Sequence, residues 1–200
     1  WVLSNHDVVR HVTRYGGGKV GRRRARAALL LALALPGAVF LYEGEELGLA
    51  EVDLPDDALT DPVWERSGHT RRGRDGCRVP LPWSGIAPPY GFSTTGESWL
   101  PQPTDWAPLT VGAEDGDPAS MLSFYRRALA RRPLVDPLAP VTWHRRDAQL
   151  LDLSVGDGVR CLVNLGPDAV ALPPGSRALL ASDHVDQEMI AADTAVWLEL

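Results

Sequence analysis

Only two cysteines, Cys77 and Cys161, occur in the 200 residues. Their separation matches neither a metal site nor a redox pair, so both read as reduced thiols, and a chain this long needs no disulfide staple. Lysine is nearly absent: Lys19 is the only one, and every other basic residue is arginine. We read that excess as a compositional bias without chemistry of its own. Positive charge is outnumbered, with 20 Lys and Arg against 26 Asp and Glu and a net charge of -6. A nucleic-acid partner is therefore not expected, because a polyanion calls for a basic surface. No apolar run approaches the roughly 20 residues needed to cross a bilayer, so no membrane is expected either. The longest runs are residues 27–35 and, after Pro36-Gly37, residues 38–42. A secretory leader is also not expected: Trp1-Val2-Leu3 passes at once into Ser4-Asn5-His6-Asp7. The first residues read as the end of a buried strand with no initiator Met, so the expectation is the tail of something longer. No Asp/Asn run of calcium-loop type is present, and neither metal nor cofactor is expected. What remains, 44% apolar and 23% charged residues, is the balance of a globular protein of one domain or two small ones.

Residues 20–35 predict a helix, basic at first (Arg22, Arg23, Arg24, Arg26) and then rich in Ala and Leu. The arginines oppose the helix dipole, so a solvated face is expected for them. Pro36-Gly37 ends the helix, and residues 38–42 read as a fully buried strand. A strand stub, a helix and a second strand imply parallel strands covered by helices. Periodicity then disappears over residues 51–115, which hold Trp64, Trp83, Trp99 and Trp106. Aromatics are scarce in disordered segments, so this is expected to be a long ordered excursion. Asp117-Pro118 predicts the opening of a helix over residues 119–132, with Met121, Leu122, Phe124, Tyr125, Ala128 and Leu129 on its buried face and Pro133 as its stop. Beyond Pro140 the period becomes two. Residues 141–145, 150–155, 159–165, 169–172, 178–181 and 195–200 predict strands, with turns at Gly156-Asp157-Gly158 and Pro173-Pro174-Gly175. Short strands so closely spaced suggest a small antiparallel sandwich.

Three motifs carry candidate chemistry, two at the ends of strands and the third in the long excursion. Ser4-Asn5-His6-Asp7 follows the first strand stub, and polar residues at that edge are either functional or a simple strand-to-loop turn. Tyr42-Glu43-Gly44-Glu45-Glu46-Leu47-Gly48 follows the second strand, and its carboxylates suit acid–base work, a cap or pairing with arginine. Asp75-Gly76-Cys77-Arg78-Val79-Pro80-Leu81-Pro82-Trp83 presents an arginine among rigid neighbours, which either holds a polar ligand or belongs to a plain surface loop.

In this order and spacing the three motifs resemble the C-terminal part of the α-glucosidases of the α-amylase superfamily, close to oligo-1,6-glucosidases. Asn5-His6-Asp7 resembles the segment at the family's strand 7, residues 42–48 the segment after strand 8, and residues 75–83 the Arg-Pro-Trp segment of the loop that follows. The implied fold is the last two βα units of a (β/α)8 TIM barrel within residues 1–135, carrying the long loop at about 51–115, and then a small antiparallel β-sandwich domain over residues 136–200. The implied function is retaining, exo-acting hydrolysis of terminal α-linked glucose from a small oligosaccharide or disaccharide. Asp7 would be the carboxylate that stabilises the transition state. Asn5, His6 and Arg78 would bind the sugar, Arg10 and Arg14 would support them, and Glu43, Glu45 and Glu46 would be structural. The family's nucleophile and acid/base would lie upstream of Trp1, so residues 1–200 alone are expected to be inactive. Glucosyl transfer or sugar isomerisation on the same scaffold stays open, as does a non-catalytic carbohydrate-binding or transporter-associated homologue, against which Asn5, His6, Asp7 and Arg78 together count. Cytoplasmic residence is the expected location.

Overall fold

A computed structural model describes residues 1–186 and 188–199. Its helices are α1 (His11–Arg14), α2 (Gly18–Ala34), α3 (Pro62–Arg66), α4 (Val111–Glu114) and α5 (Met121–Arg131). Its strands are β1 (Val141–Arg146), β2 (Leu150–Val155), β3 (Val159–Asn164), β4 (Val170–Ala171), β5 (Ala178–Ala181), β6 (Val185–Asp186), β7 (Met189–Ile190) and β8 (Thr194–Leu198). The chain divides into two compact units. One contains Trp1–Leu3, Lys19–Phe40 and everything from Phe124 onward; the other contains Ser4–Gly18 and Leu41–Ser123. No helix among the described residues is long and apolar enough to cross a membrane.

In the first unit Val2 bridges Phe40 in parallel, and the Phe40 N–H donates to the Trp1 carbonyl at 2.8 Å. Here the expectation of a fully buried strand over residues 38–42 is corrected. Only this bridge forms, and Phe40 is 65% exposed. Two parallel stretches side by side cover neither of each other's outer edges, so the apolar run lacks the neighbours that would bury it. Between them α2 starts two residues before the predicted residue 20 and buries Ala25, Leu29, Leu30 and Leu33. Its arginines are not a solvated face. Arg23 and Arg24 both reach the Asp193 carboxylate, at 2.7 and 2.9 Å. Arg26 donates to the Ser182 carbonyl at 2.6 Å and stacks over Phe124 at 4.1 Å. The cost of cations near a helix N-terminus is offset by these partners.

The C-terminal strands form a five-stranded antiparallel sheet in the order β1-β2-β3-β8-β5 and a three-stranded sheet β4-β7-β6. Gly156-Asp157-Gly158 turns β2 into β3, with Val155 opposite Val159. Leu162, Leu172, Ile190, Val196 and Leu198 make a core to which both sheets contribute, as in a sandwich. β8 is buried along its whole length: Val196 and Leu198 face that core, while Trp197 is fully buried and donates from Nε1 to the Leu30 carbonyl of α2 at 3.0 Å. The two-residue strands β6 and β7 were not predicted, being too short to show alternation. Leu200, assigned to the last strand by its sequence, lies outside the described residues.

In the second unit the aperiodic stretch is ordered, as expected, although of its four tryptophans only Trp106 belongs to the core. Trp83 and Trp99 are exposed, and Trp106 joins Leu47, Leu49, Leu54, Val79, Tyr90, Leu100 and Leu122 in a core drawn from separated turns. α5 is corrected too. Its N-terminus is capped by Ser120, whose Oγ accepts the Ser123 N–H at 3.0 Å, and Glu114 Oε2 accepts the Leu122 N–H at 2.8 Å. Asp117 instead caps the preceding turn through the Ala119 N–H, while α5 ends at Arg131, two residues before Pro133, which sits in a 3-10 turn, Arg132–Leu134. Leu129, placed on the buried face by its spacing, is exposed.

Candidate active site

The Asn5-His6-Asp7 segment is an exposed loop held at both ends by buried groups. At one end Ser4 is buried, and its Oγ accepts the backbone N–H of His11, the first residue of α1, at 2.9 Å. At the other end the Arg10 N–H donates to Glu51 Oε2 at 2.9 Å. The Arg10 side chain is 2% exposed and donates to the carbonyls of Glu43 (2.7 Å) and Cys77 (2.9 Å), with its guanidinium over the Tyr42 ring. Gly44 makes that approach possible: at φ +86° its place would bring a Cβ within 2.8 Å of Arg10 Nη1. Within the loop, Asn5 Oδ1 accepts the Asp7 N–H at 2.8 Å, an Asx turn that fixes the direction in which Asp7 leaves the backbone.

The Asp7 carboxylate meets two guanidinium groups. Arg74 Nη1 lies 2.8 Å and Arg78 Nη2 3.2 Å from Oδ1, and His6 Nε2 lies 3.4 Å from Oδ2. Arg78 also donates from Nε to the His6 carbonyl at 2.8 Å, so it grips the loop and its carboxylate at once. The Arg74 hydrogen bond, with the neighbouring positive charges, holds the Asp7 carboxyl below its ordinary range. Arg74 is itself held from behind. Its Nε lies 2.6 Å from Oδ2 of the buried Asp61, and that bond with the Val63 N–H brings Asp61 down to about 2. Asp75 ties this turn together by accepting the N–H groups of Thr60 and Asp61 at 2.6 and 2.7 Å. Asp7, Asp61, Arg66, Arg71, Arg72 and Arg74 line an open cavity of about 610 Å³. An ionised carboxylate on the rim of a polar cavity can stabilise positive charge developing on a bound ring and accept hydrogen bonds from its hydroxyls.

Asn5, His6, Asp7 and Arg78, the four residues singled out for substrate and transition state, thus stand together. Arg10 lies beneath the loop, buried and spent on carbonyls, and Arg14 donates from Nε to the Val9 carbonyl at 3.0 Å. Glu45 opens a 3-10 turn, Glu45–Leu47, and accepts the Ser4 N–H at 3.0 Å, while Glu46 Oε2 accepts the Gly44 N–H at 2.8 Å. Both carboxyl groups are raised by burial, Glu45 to about 7. The sequence reading missed Arg74 and Asp61. The available signal was Asp75, a turn-forming residue next to an arginine in a motif already singled out. Among the described residues no cluster of His, Cys, Asp or Glu is placed to hold a metal ion.

Comparison with known proteins gives this arrangement its family. The alpha-amylase family, described as Alpha amylase, catalytic domain, matches residues 1–138. A probable alpha-glucosidase of Rhizobium meliloti is 41% identical over 176 residues, covering 84% of this chain and 31% of its own length. An oligo-1,6-glucosidase of Heyndrickxia coagulans is 30% identical over 153 residues, covering 67% and 27%. The chain therefore spans about a third of these relatives or less. Among solved structures, an alpha-glucosyl transfer enzyme, XgtA, superposes with a TM-score of 0.81 at 32% identity, over 99% of this chain and 39% of that one. The trehalulose synthase MutB of Pseudomonas mesoacidophila superposes with 0.82 at 21% identity, over 99% and 42%, and shares the fold. The fold is that of the last two βα units of a (β/α)8 barrel followed by a small antiparallel β-sandwich, and the chain belongs to the alpha-amylase family of glycoside hydrolases.

Proposed function

We propose that this chain is the C-terminal part of a retaining, exo-acting α-glucosidase that releases terminal α-linked glucose from small oligosaccharides or disaccharides. Residues 1–135 are the end of its catalytic barrel, and residues 136–200 its C-terminal β-domain. The observation that carries the reading is the Asp7 carboxylate, kept ionised between Arg74 and Arg78 on an exposed loop. The 41% identity to a probable alpha-glucosidase supports it. Asp7 stabilises the oxocarbenium-like transition state, His6 and Arg78 bind the same glucose, and Asn5 sets the turn. Arg10 and Arg14 support the loop. Bond cleavage needs a further pair of carboxyl groups about 5–5.5 Å apart, one as nucleophile and one as acid and then base. Asp61 does not serve, since both of its oxygens are taken by Val63, Arg74 and the turn. The pair comes from residues outside this chain, and the 200 residues alone are inactive. A cytoplasmic site of action goes with two buried, free thiols.

A second reading is glucosyl transfer, favoured by the 32% identity to an alpha-glucosyl transfer enzyme. Product analysis of the complete enzyme on maltose separates the two. Glucose as the only product supports hydrolysis; accumulation of tri- and isomeric disaccharides replaces it with transfer. Turnover of p-nitrophenyl α-glucoside by residues 1–200 alone overturns the assignment of the missing pair.

A further inference from the structure

Directly beneath the Asn5-His6-Asp7 loop lies a cluster that the proposed chemistry leaves unused. Ser4, His11 and Glu45 are 2%, 1% and 2% exposed. Ser4 takes part in three hydrogen bonds there. Its N–H donates to Glu45 Oε1 at 3.0 Å, its Oγ accepts the His11 N–H at 2.9 Å, and its Oγ lies 2.8 Å from His11 Nδ1. The hydroxyl carries one proton, and the backbone N–H of His11 can only donate. Ser4 Oγ thus accepts that N–H, and the direction of its second bond, with His11 Nδ1, follows the ring tautomer. Burial supports a neutral ring, since it lowers His11 to about 4. Glu45 Oε1 stands 3.9 Å from the same Nδ1, completing the triangle.

This triangle closes the chain on itself: residues 4 and 11 are clamped side chain to backbone, and everything between them is the loop that carries Asp7. The loop makes few other buried contacts, because His6, Asp7, Val8 and Val9 are exposed. An exposed loop gains its geometry from its fixed ends. We infer that Ser4, His11 and Glu45 are positioning residues, which set where the Asp7 carboxylate stands relative to the sugar without touching the sugar themselves. The inference rests on the reading of Asp7 as the transition-state carboxylate. Misplacing such a group by a fraction of an ångström weakens an interaction made only in the transition state, so it lowers kcat and leaves KM nearly untouched.

The test is a double-mutant cycle in the complete enzyme, with kcat and KM on maltose and Tm measured for each member. Ser4→Ala removes the clamp; Ser4→Thr restores a hydroxyl at the same place and guards against misfolding of the alanine variant. The expected result is a kcat lower by about tenfold or more in Ser4→Ala, a KM within about threefold, and recovery of most of kcat in Ser4→Thr. In an Asp7→Asn background Ser4→Ala should cost little more, because both changes act through one carboxylate. If Asp7→Asn lowers kcat and Ser4→Ala lowers it further by its full factor, the cluster does not act through Asp7 and the inference is overturned. The same holds if Ser4→Ala leaves kcat unchanged. If Asp7→Asn itself leaves kcat unchanged, the reading of Asp7 fails, and the inference with it. If Ser4→Ala does not fold, a full kcat loss in a folded Ser4→Thr or His11→Asn variant that persists unchanged in the Asp7→Asn background equally overturns it.

Discussion

Arg74 lies between two aspartates, with Nη1 2.8 Å from Asp7 Oδ1 and Nε 2.6 Å from Asp61 Oδ2. One guanidinium thereby links an exposed carboxylate on the Asn5-His6-Asp7 loop to a buried one in the loop after the second strand segment. Both carboxyl groups are depressed, first by the Arg74 hydrogen bond. A depressed carboxyl stabilises the fold above its unfolded pKa, near 4, and that contribution is lost as pH falls through the folded value. In Arg74→Gln the Asp61 midpoint should rise from about 2 toward the ordinary range and the Asp7 midpoint should rise with it. Carboxyl NMR titration of both groups checks this; an Asp7 midpoint that stays in place removes Arg74 from the site.

The same sign applies in the β-domain unit. The Asp193 carboxyl is raised by burial but lowered more by Arg23 and Arg24, for a net depression. Asp193→Asn keeps a side chain that tolerates φ +57° and removes only the charge. The variant should lose about 1 kcal/mol at neutral pH, since the arginines are partly solvated. That difference from wild type should shrink as pH falls through the folded-state pKa of Asp193. Urea melts at neutral and acid pH measure it; a deficit that does not depend on pH contradicts the charge pairing.

Trp197 is fully buried on β8 and bonded to α2. Trp197→Ala should cost about 3–5 kcal/mol through the cavity it leaves. Trp197→Phe should cost less, keeping most of the volume but leaving the Leu30 carbonyl without its indole partner. Thermal melts rank the three proteins, and equal stability of Trp197→Phe and Trp197→Ala is the contrary result.

Much of this arrangement is legible in the sequence, and the limits have physical causes. Gly156-Asp157-Gly158 and the alternation around it announce β2 and β3, because a hairpin is encoded locally. The helix α2 is equally plain from its Ala/Leu run. What it packs against is not: Arg23 and Arg24 find their carboxylate about 170 residues away, and no window of sequence shows that. Asp7 and Arg78 were reached through motif order, a pattern that survives long insertions. Arg74 was missed because it is one arginine among Arg66, Arg71, Arg72, Arg74 and Arg78. Its place beside Asp61 depends on a tight bend at Gly73, where a Cβ would lie 2.7 Å from the Asp61 side chain, and no local pattern shows that approach. Residues 38–42 misled for another reason: apolar periodicity reports what a strand is suited to, and this chain alone lacks the neighbours that bury it.

Arg78 offers Nε to the His6 carbonyl and Nη2 to Asp7, a two-point hold that a lysine's single ammonium cannot reproduce. In the complete enzyme Arg78→Lys should lower kcat/KM on maltose by about tenfold or more with Tm nearly unchanged. A fall in Tm with near-normal activity of the folded remainder would make Arg78 a loop tie only.

The most direct measurement is kcat and KM on maltose for Asp7→Asn in the complete enzyme. Amide and carboxylate are nearly isosteric, so sugar binding should survive, while the lost negative charge matters when positive charge develops on the ring. The account predicts a kcat lower by about 100-fold or more with KM changed by less than about fivefold. An unchanged kcat with a raised KM would contradict it, making Asp7 a plain substrate anchor.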